Sequence, residues 1–497
     1  MPHLALTPSR LLALCLALFI AGCATGPAYV KPAAEAPQDW TQWRSGDALL
    51  HAPVSSDHAA PQVWWTALGD PVLDDLERRA IAASPDLRTA ALHFAQSRVQ
   101  RGVTSSQAGP QVKLDAGAVR QRQSEWGAGT RLLDAIGGNN REALASLLSE
   151  PFTLYQAGFD ASWELDLWGR VGHAIEGADA DVAAQAALLD LARLSLSSDV
   201  AQRYLEYRTA QRQLRVLRED IAAQQDRQDL LRARVDAGVV DHFDLERQNA
   251  DLANNEAQVP ALLAQGANSM GQLELLLGEH PGALNDVLAP ETVNHAALPD
   301  LTLGLPSEVA ERRPDIRAAE AKLRRAAANI GVARADLYPS IRLGAKFGLE
   351  SYKAGEFTDW ASRSWSIGPT LELPIFDHGR RVRVVQLREL EQQEAAINYQ
   401  RTVLQAWHEI DSALNGYAAE RLQLEKQQGR ASSSRQVFEL ASARYRAGTV
   451  DFSAVIDGQR ALLQARREEI ASEGRLKLRY VALNKAIAAR SSDVGTD

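Results

Sequence analysis

Cys23 carries the clearest chemistry in this 497-residue chain. It closes the run Ile20-Ala21-Gly22-Cys23, behind Arg10 and an apolar stretch from Leu11 to Ile20. Such a stretch has the make-up of a signal peptide and is too short to cross a bilayer as a helix. Small residues ahead of a cysteine are what a bacterial lipoprotein signal peptidase reads. Residues 1–22 are therefore expected to be removed and the Cys23 thiol to receive lipid. Ala24, in place of Asp, favours sorting to the outer membrane. The only other cysteine, Cys15, leaves with the signal, so no disulfide is expected in the oxidising periplasm. Two or three acyl chains on Cys23 make a firm anchor where one would not.

Little else points to chemistry. The sequence has no Gly-x-Ser-x-Gly, no phosphate-binding Gly-x-x-x-x-Gly-Lys, no Cys-x-x-Cys and no His-Glu-x-x-His. His408-Glu409 is followed by Ile410-Asp411 in the middle of a helical pattern, and the ten histidines are scattered. No catalytic residue, no metal and no cofactor beyond the lipid on Cys23 is expected. A net charge of −9 gives no basic footprint for nucleic acid.

The elements that carry these residues are written twice. Ser84-Pro85-Asp86-Leu87-Arg88 through Gly102-Val103 to Pro110-Gln111-Val112 returns, 229 positions on, as Arg313-Pro314-Asp315-Ile316-Arg317 through Gly331-Val332 to Pro339-Ser340-Ile341. Glu164-Leu165 matches Glu372-Leu373, Gly169-Arg170 matches Gly379-Arg380, and Ala237-Gly238 matches Ala447-Gly448. One structural unit is repeated. The organisation read from this is a signal over 1–22, a lipid-anchored arm over 23–70, a first repeat over 71–280, a linker over 281–312, a second repeat over 313–490 and a tail over 491–497. The arm cannot be helical at Gly26-Pro27-Ala28-Tyr29-Val30-Lys31-Pro32. Trp40, Trp43, Trp64 and Trp65 are expected to dock it.

Within each repeat the apolar period changes. Helices are expected from Pro71 to about Ser84, and from Pro85 to about Gly109 with Leu87, Ala91, Phe94 and Ala95 on one face. Period two follows over 111–120, 152–167, 341–350 and 364–375. Val112, Leu114 and Ala116 alternate with Lys113 and Asp115. Phe159, Ala161 and Trp163 alternate with Asp160 and Glu164. Ile341, Leu343 and Phe347 alternate with Arg342 and Lys346, and Leu371 and Leu373 flank Glu372. Four strands of ten residues or more, apolar on one side and charged on the other, suit a tilted bilayer crossing beside a wet lumen, although a half-buried soluble sheet has the same alternation. The long segments Gly169–Ala237 and Gly379–Ala447 contain no proline. At 1.5 Å per residue each helix would be about 100 Å long. Each is followed by a glycine turn and a returning helix, over 242–277 and 453–490, with a kink expected at Pro260. Sevenfold spacing recurs at Leu390, Ile397, Leu404, at Leu245, Leu252, Val259 and at Ile456, Leu463, Ile470, which implies supercoiled hairpins. The fold class is α+β, with long antiparallel helical hairpins and four membrane strands.

Four strands cannot close a membrane barrel, and an open edge in lipid leaves backbone groups unpaired at several kcal/mol each. The chain must assemble, and three copies give twelve strands and an aqueous lumen. These features together resemble the TolC-like outer membrane efflux proteins, in the lipoprotein branch often called NodT-type. The resemblance rests on Gly26-Pro27-x-Tyr29-Val30-x-Pro32, Trp64-Trp65 followed by Asp70-Pro71-x-Leu73, both Pro-Asp-x-Arg copies, Arg444-Tyr445-Arg446-Ala447-Gly448, and Val455-Ile456-Asp457-Gly458-Gln459-Arg460. It implies a homotrimer in the outer membrane with a twelve-stranded β-barrel and a twelve-helix periplasmic α-barrel. This would be the exit duct of a tripartite system, joined to a periplasmic membrane-fusion adaptor and an inner-membrane RND-type pump. Rival readings are a duct for type I protein secretion and a non-inserted coiled-coil spacer lipoprotein.

The resemblance also implies roles. Asp457 falls where relatives place an aspartate ring at the periplasmic aperture, and Tyr445 with Asp244 matches a link that holds neighbouring hairpins closed. Gly238, Val239, Gly448 and Thr449 form the hairpin tips where an adaptor would dock. Lys113, Asp160, Glu164, Arg342, Lys346 and Glu372 would face the barrel lumen. Two positions depart from the pattern: Ala454 replaces a second acid found in some members, and Val450 replaces an arginine that ties the closed state.

Overall fold

A computed structural model describes residues 26, 29–32, 36–51, 63–131, 133, 138–239, 241–289, 298, 303 and 305–489. The signal segment, Cys23, Ala24, Val450's partner position Val240 and the tail over 491–497 lie outside the described residues. In chain order the α-helices are α1 (Pro71–Ala83), α2 (Pro85–Ser105), α3 (Arg141–Leu148), α4 (Arg170–Asp236), α5 (His242–Glu256), α6 (Val259–Leu277), α7 (Asn285–Leu288), α8 (Pro306–Arg312), α9 (Pro314–Ala335), α10 (Arg380–Arg446) and α11 (Phe452–Ala486). The strands are β1 (Gln111–Gln121), β2 (Phe152–Leu165), β3 (Ser340–Ser351) and β4 (Arg363–Glu372). The chain divides into two compact units, one holding 97–182 and 322–395, the other holding 31–96, 183–321 and residues from 396 onward.

The first unit holds one antiparallel sheet in the order β1-β2-β3-β4. Its register aligns the charged parity across strands: Lys113 faces Asp160, Asp160 faces Lys346, and Glu164 faces Arg342. The apolar parity aligns likewise, with Leu114, Phe159, Phe347 and Trp365 in one row. β2 and β4 stop at Leu165 and Glu372, a few residues short of the alternating runs; Pro374 has no N–H to give a ladder, and Gly169 and Gly379, at φ +79° and +78°, turn the chain toward the long helices. Gly158 faces Gly348 where the two backbones approach closely. A Cβ added at Gly158 would lie 2.8 Å from Gly348 Cα, and one at Gly348 would lie 2.7 Å from the Ala157 carbonyl oxygen.

The second unit is built on tryptophan and leucine. Trp64, Leu73, Leu76, Leu273, Leu277 and Leu284 are fully buried together. Asp70 fixes the start of α1: one carboxylate oxygen accepts from Val72 N at 3.0 Å and the other from the Tyr204 hydroxyl at 2.6 Å. The arm docks largely as expected. Trp40, Trp64 and Trp65 are buried, whereas Trp43 stays half exposed with its ring edge-on to Trp407 at 6.1 Å. Arg44 secures the arm further through Asp411 and Asn415.

Several boundaries differ from the sequence reading. The returning helix over 242–277 is two helices, because Pro260 in the first turn of α6 cannot donate a backbone hydrogen bond. The last helix ends at Ala486. The linker over 281–312 contains two short helices, α7 and α8, and is otherwise partly outside the described residues. Of the face expected on α2, only Leu87 is buried and Phe94 half-buried, while Ala91 and Ala95 are exposed. Of the three sevenfold stripes, Ile456, Leu463 and Ile470 are buried and Leu245 and Leu252 are buried. Leu390, Ile397 and Leu404 are each about 60% exposed. Periodicity identifies a face that needs a partner; it does not say that the partner is in the same chain.

Candidate conduction surface and periplasmic tip

The charged sheet face is wired by ion pairs. Lys346 Nζ lies 3.0 Å from Asp160 Oδ2, and Arg342 lies 3.7 Å from Glu164. Arg170, the first residue of α4, donates twice to Glu164, at 2.7 and 2.9 Å. Such a bidentate pair fixes the junction between strand and helix. Lys113 stands opposite Asp160 without an ion pair to it among the described residues, and Glu372 stands opposite Ser340 at the end of β4. All six residues expected in the lumen therefore share the sheet's charged parity.

The other face is bare. Val112, Leu114, Phe159, Phe347, Trp365 and Ile367 are half to three-quarters exposed. A contiguous apolar sheet face of this kind is an interaction surface, and its ten-to-fourteen-residue strands match a tilted bilayer crossing. β1 and β4 are edge strands, each exposed along its whole length. Among the described residues no helix is long and apolar enough to cross a membrane.

The two hairpin tips share one construction. Gly238 and Gly448 both adopt φ +72°, which lets the chain leave each long helix in the left-handed conformation. Val239 N then bonds to Arg234 O at 2.9 Å, and Thr449 N to Arg444 O at 3.0 Å, so both helices end in the same paired motif. Asp241 caps α5 through Phe243 N. Leu231, Leu245, Phe452, Val455 and Ile456 form a small core behind the tips, with Tyr445 packed against Phe452 at 5.2 Å.

The expected gate residues are placed in that neighbourhood but with different partners. The Tyr445 hydroxyl accepts from Arg234 Nη1 at 2.6 Å. Asp244 lies in the first turn of α5, half-buried, and forms no side-chain hydrogen bond among the described residues. Asp457 accepts from Arg247 at 2.6 Å and lies 3.7 Å from Arg460, which also pairs with Asp251. Two arginines and two aspartates thus form an alternating row between α5 and α11. Sequence reasoning missed Arg234, Arg247 and Asp251. Arg460 ends the Val455–Arg460 motif, which by itself gives it no role. Deeper in the same unit, Asp220 accepts from Gln459 at 2.7 Å and from Gln224 at 2.8 Å, and burial pushes its carboxyl up from the ordinary range.

Comparison with known proteins places this architecture. The chain is 32% identical to the pyoverdine export outer membrane protein OpmQ of Pseudomonas putida over 437 residues, 87% of this chain and 89% of that protein. It is also 32% identical to the outer membrane protein OprJ of Pseudomonas aeruginosa over 450 residues, 90% of this chain and 89% of that one. A crystal structure of a membrane protein from Pseudomonas aeruginosa superposes with a TM-score of 0.82 at 30% identity, covering 94% of this chain and all of the other. The outer-membrane channel OprN gives the same TM-score at 28% identity, covering 94% of this chain and 99% of that one. The profile of the outer membrane efflux protein family matches residues 76–279 and 305–489. With both repeats matched and the bare sheet and paired hairpins in place, the chain belongs to the outer membrane efflux protein family.

Proposed function

We propose that this outer membrane efflux channel is the exit duct of a tripartite pump. It acts as a homotrimer and passes small toxic compounds passively from the periplasm to the outside. An energised inner-membrane pump of the RND type and a periplasmic adaptor supply the substrate. The chain has no catalytic role; its work is to provide a continuous wet path. Lipid on Cys23 holds the arm at the outer membrane.

The observation that carries this reading is the unfinished sheet. Four strands expose an apolar face and two unpaired edges, and only closure with further copies satisfies both in lipid. The matching relatives support the assignment to small-molecule export: one is named for pyoverdine export and another, the toluene efflux pump outer membrane protein TtgF of Pseudomonas putida, for a solvent. The test pairs two measurements. Deleting the gene should sensitise the cell to several unrelated toxic compounds and leave protein secretion intact. The purified protein should give discrete conductance steps in a planar bilayer. A deletion that impairs export of a protein and leaves compound sensitivity unchanged would instead assign the duct to secretion.

A further inference from the structure

The two faces of the sheet differ in how they carry charge. The face with Asp160, Glu164, Arg342 and Lys346 mixes both signs and pairs them. Following the register from strand to strand, the apolar face holds two charged side chains among the described residues of the four strands, Arg120 on β1 and Arg363 on β4. Arg120 stands opposite Thr153, and Arg363 opposite Leu349. Both are exposed, both lie on edge strands, and neither has an acidic partner among the described residues. Both also stand at the same end of the sheet, the end away from the long helices α4 and α10. Each is eight residues from the apolar residue at the other end of its own strand's row, Val112 on β1 and Leu371 on β4. At about 3.4 Å per residue and a tilt of about 40°, that separation is about 20 Å of height, close to the roughly 25 Å apolar band of a membrane barrel. An arginine is costly at the centre of such a band and tolerated at its rim.

We infer that Arg120 and Arg363 bind the phosphate groups of a phosphorylated glycolipid in the outer leaflet. Charge and polarity together select this occupant. Its acyl chains lie along the apolar rows, and its phosphates stand at the chain boundary, where the face turns from wholly apolar to cationic. A neutral headgroup would leave both cations unmatched. A guanidinium presents a planar fork of N–H donors that fits phosphate oxygens. Arg363 is oriented for this: its guanidinium lies 4.6 Å from the centre of the Trp360 ring, and Nη1 donates to the Trp360 carbonyl oxygen at 2.8 Å. Its other N–H groups remain for a ligand. Phe357, edge-on to Tyr155 at 6.5 Å, lays the β3–β4 connection against the apolar face, because Tyr155 stands opposite Ala118 in that parity. The inference rests on the membrane-channel reading and names the lipid class at the outer rim, which that reading leaves open.

The test uses the full lipid-bearing protein in mild detergent, titrated with fluorescent diphosphorylated lipid A and with the same glycolipid stripped of its phosphates. The unaltered protein should bind the phosphorylated form about ten-fold more tightly. Arg120→Gln combined with Arg363→Gln should weaken that binding about ten-fold, with each single variant in between. Lys426→Gln combined with Arg430→Gln, which removes two cations from exposed positions on α10, should bind as the unaltered protein does. Excess inorganic phosphate should displace little of the lipid, because the acyl chains contribute to binding; full displacement would mean a free-anion site and overturn the lipid assignment. Planar-bilayer recordings on the same preparations separate the two claims. Unchanged lipid affinity in the double arginine variant, with conductance steps retained, overturns the lipid site and leaves the channel reading intact. Absence of conductance steps from the unaltered protein overturns the channel reading, and the inference with it. Should the double variant fail to fold, the unaltered protein still decides: equal affinity for the two glycolipids overturns the inference.

Discussion

Glu77 on α1 has no exposed surface, and among the described residues neither carboxylate oxygen makes a hydrogen bond of good geometry. Burial pushes its carboxyl well above the usual range, with Ser197 opposing in part. A raised folded value means that this group favours the folded state below the unfolded value. Its contribution is lost as pH climbs through the folded one. Glu77→Gln should therefore raise the melting temperature in detergent at pH 8. The gain should shrink toward nothing at pH 4, followed by circular dichroism. Asp457 is different: its carboxylate is 60% exposed and its pair with Arg247 is worth only about 0–1 kcal/mol. Its significance is electrostatic position. If three copies place Asp457 at the aperture, Asp457→Ala should raise single-channel conductance and weaken block by divalent cations. Arg247→Ala, which removes the nearer of its two arginine partners, should strengthen that block. Equal conductance in all three proteins would remove Asp457 from the constriction.

At the scale of elements, the sheet depends on glycine where β2 and β3 come closest. A side chain at Gly348 meets the backbone of β2, which cannot rotate away. Overpacking of this kind costs about 1–3 kcal/mol, so Gly348→Val should lower the yield of folded trimer several-fold on unheated gels. Gly355, in the β3–β4 connection with open space around it, should tolerate the same change. The elements are largely legible in the sequence. Period two located all four strands because alternate side chains face lipid and water, and the absence of proline located both 67-residue helices. The break at Ala257-Gln258 was signalled by Pro260. The partners at the tip were not legible. Arg247 and Asp457 are 210 residues apart, and helix spacing alone does not say which arginine of a polar face meets which acid.

At the scale of the whole molecule, one chain supplies a four-stranded sheet with two open edges. In detergent the mature protein should run as a heat-modifiable species of about three times the monomer mass. Cys23→Ser should abolish incorporation of labelled fatty acid while leaving that species intact. Loss of the trimer on removal of the lipid would mean that the anchor, and not the strand edges, holds the copies together. A spacer lipoprotein offers no reason for a bare apolar sheet with open edges, and the closed barrel does.

The amino-acid order by itself determined the repeat, the strand faces, the long hairpins and the need for further copies, because each follows from local periodicity and from the cost of unpaired backbone in lipid. Only the tertiary structure decided which stripes are covered within the chain. It buried Ala180, Ala187 and Leu194 and left Leu390, Ile397 and Leu404 bare, although the sequence writes both stripes with the same spacing. It also decided that Tyr445 meets Arg234 and that Asp457 meets Arg247. Local pattern fixes which face of an element is apolar or charged; which other face it meets depends on where distant parts of the chain come to lie.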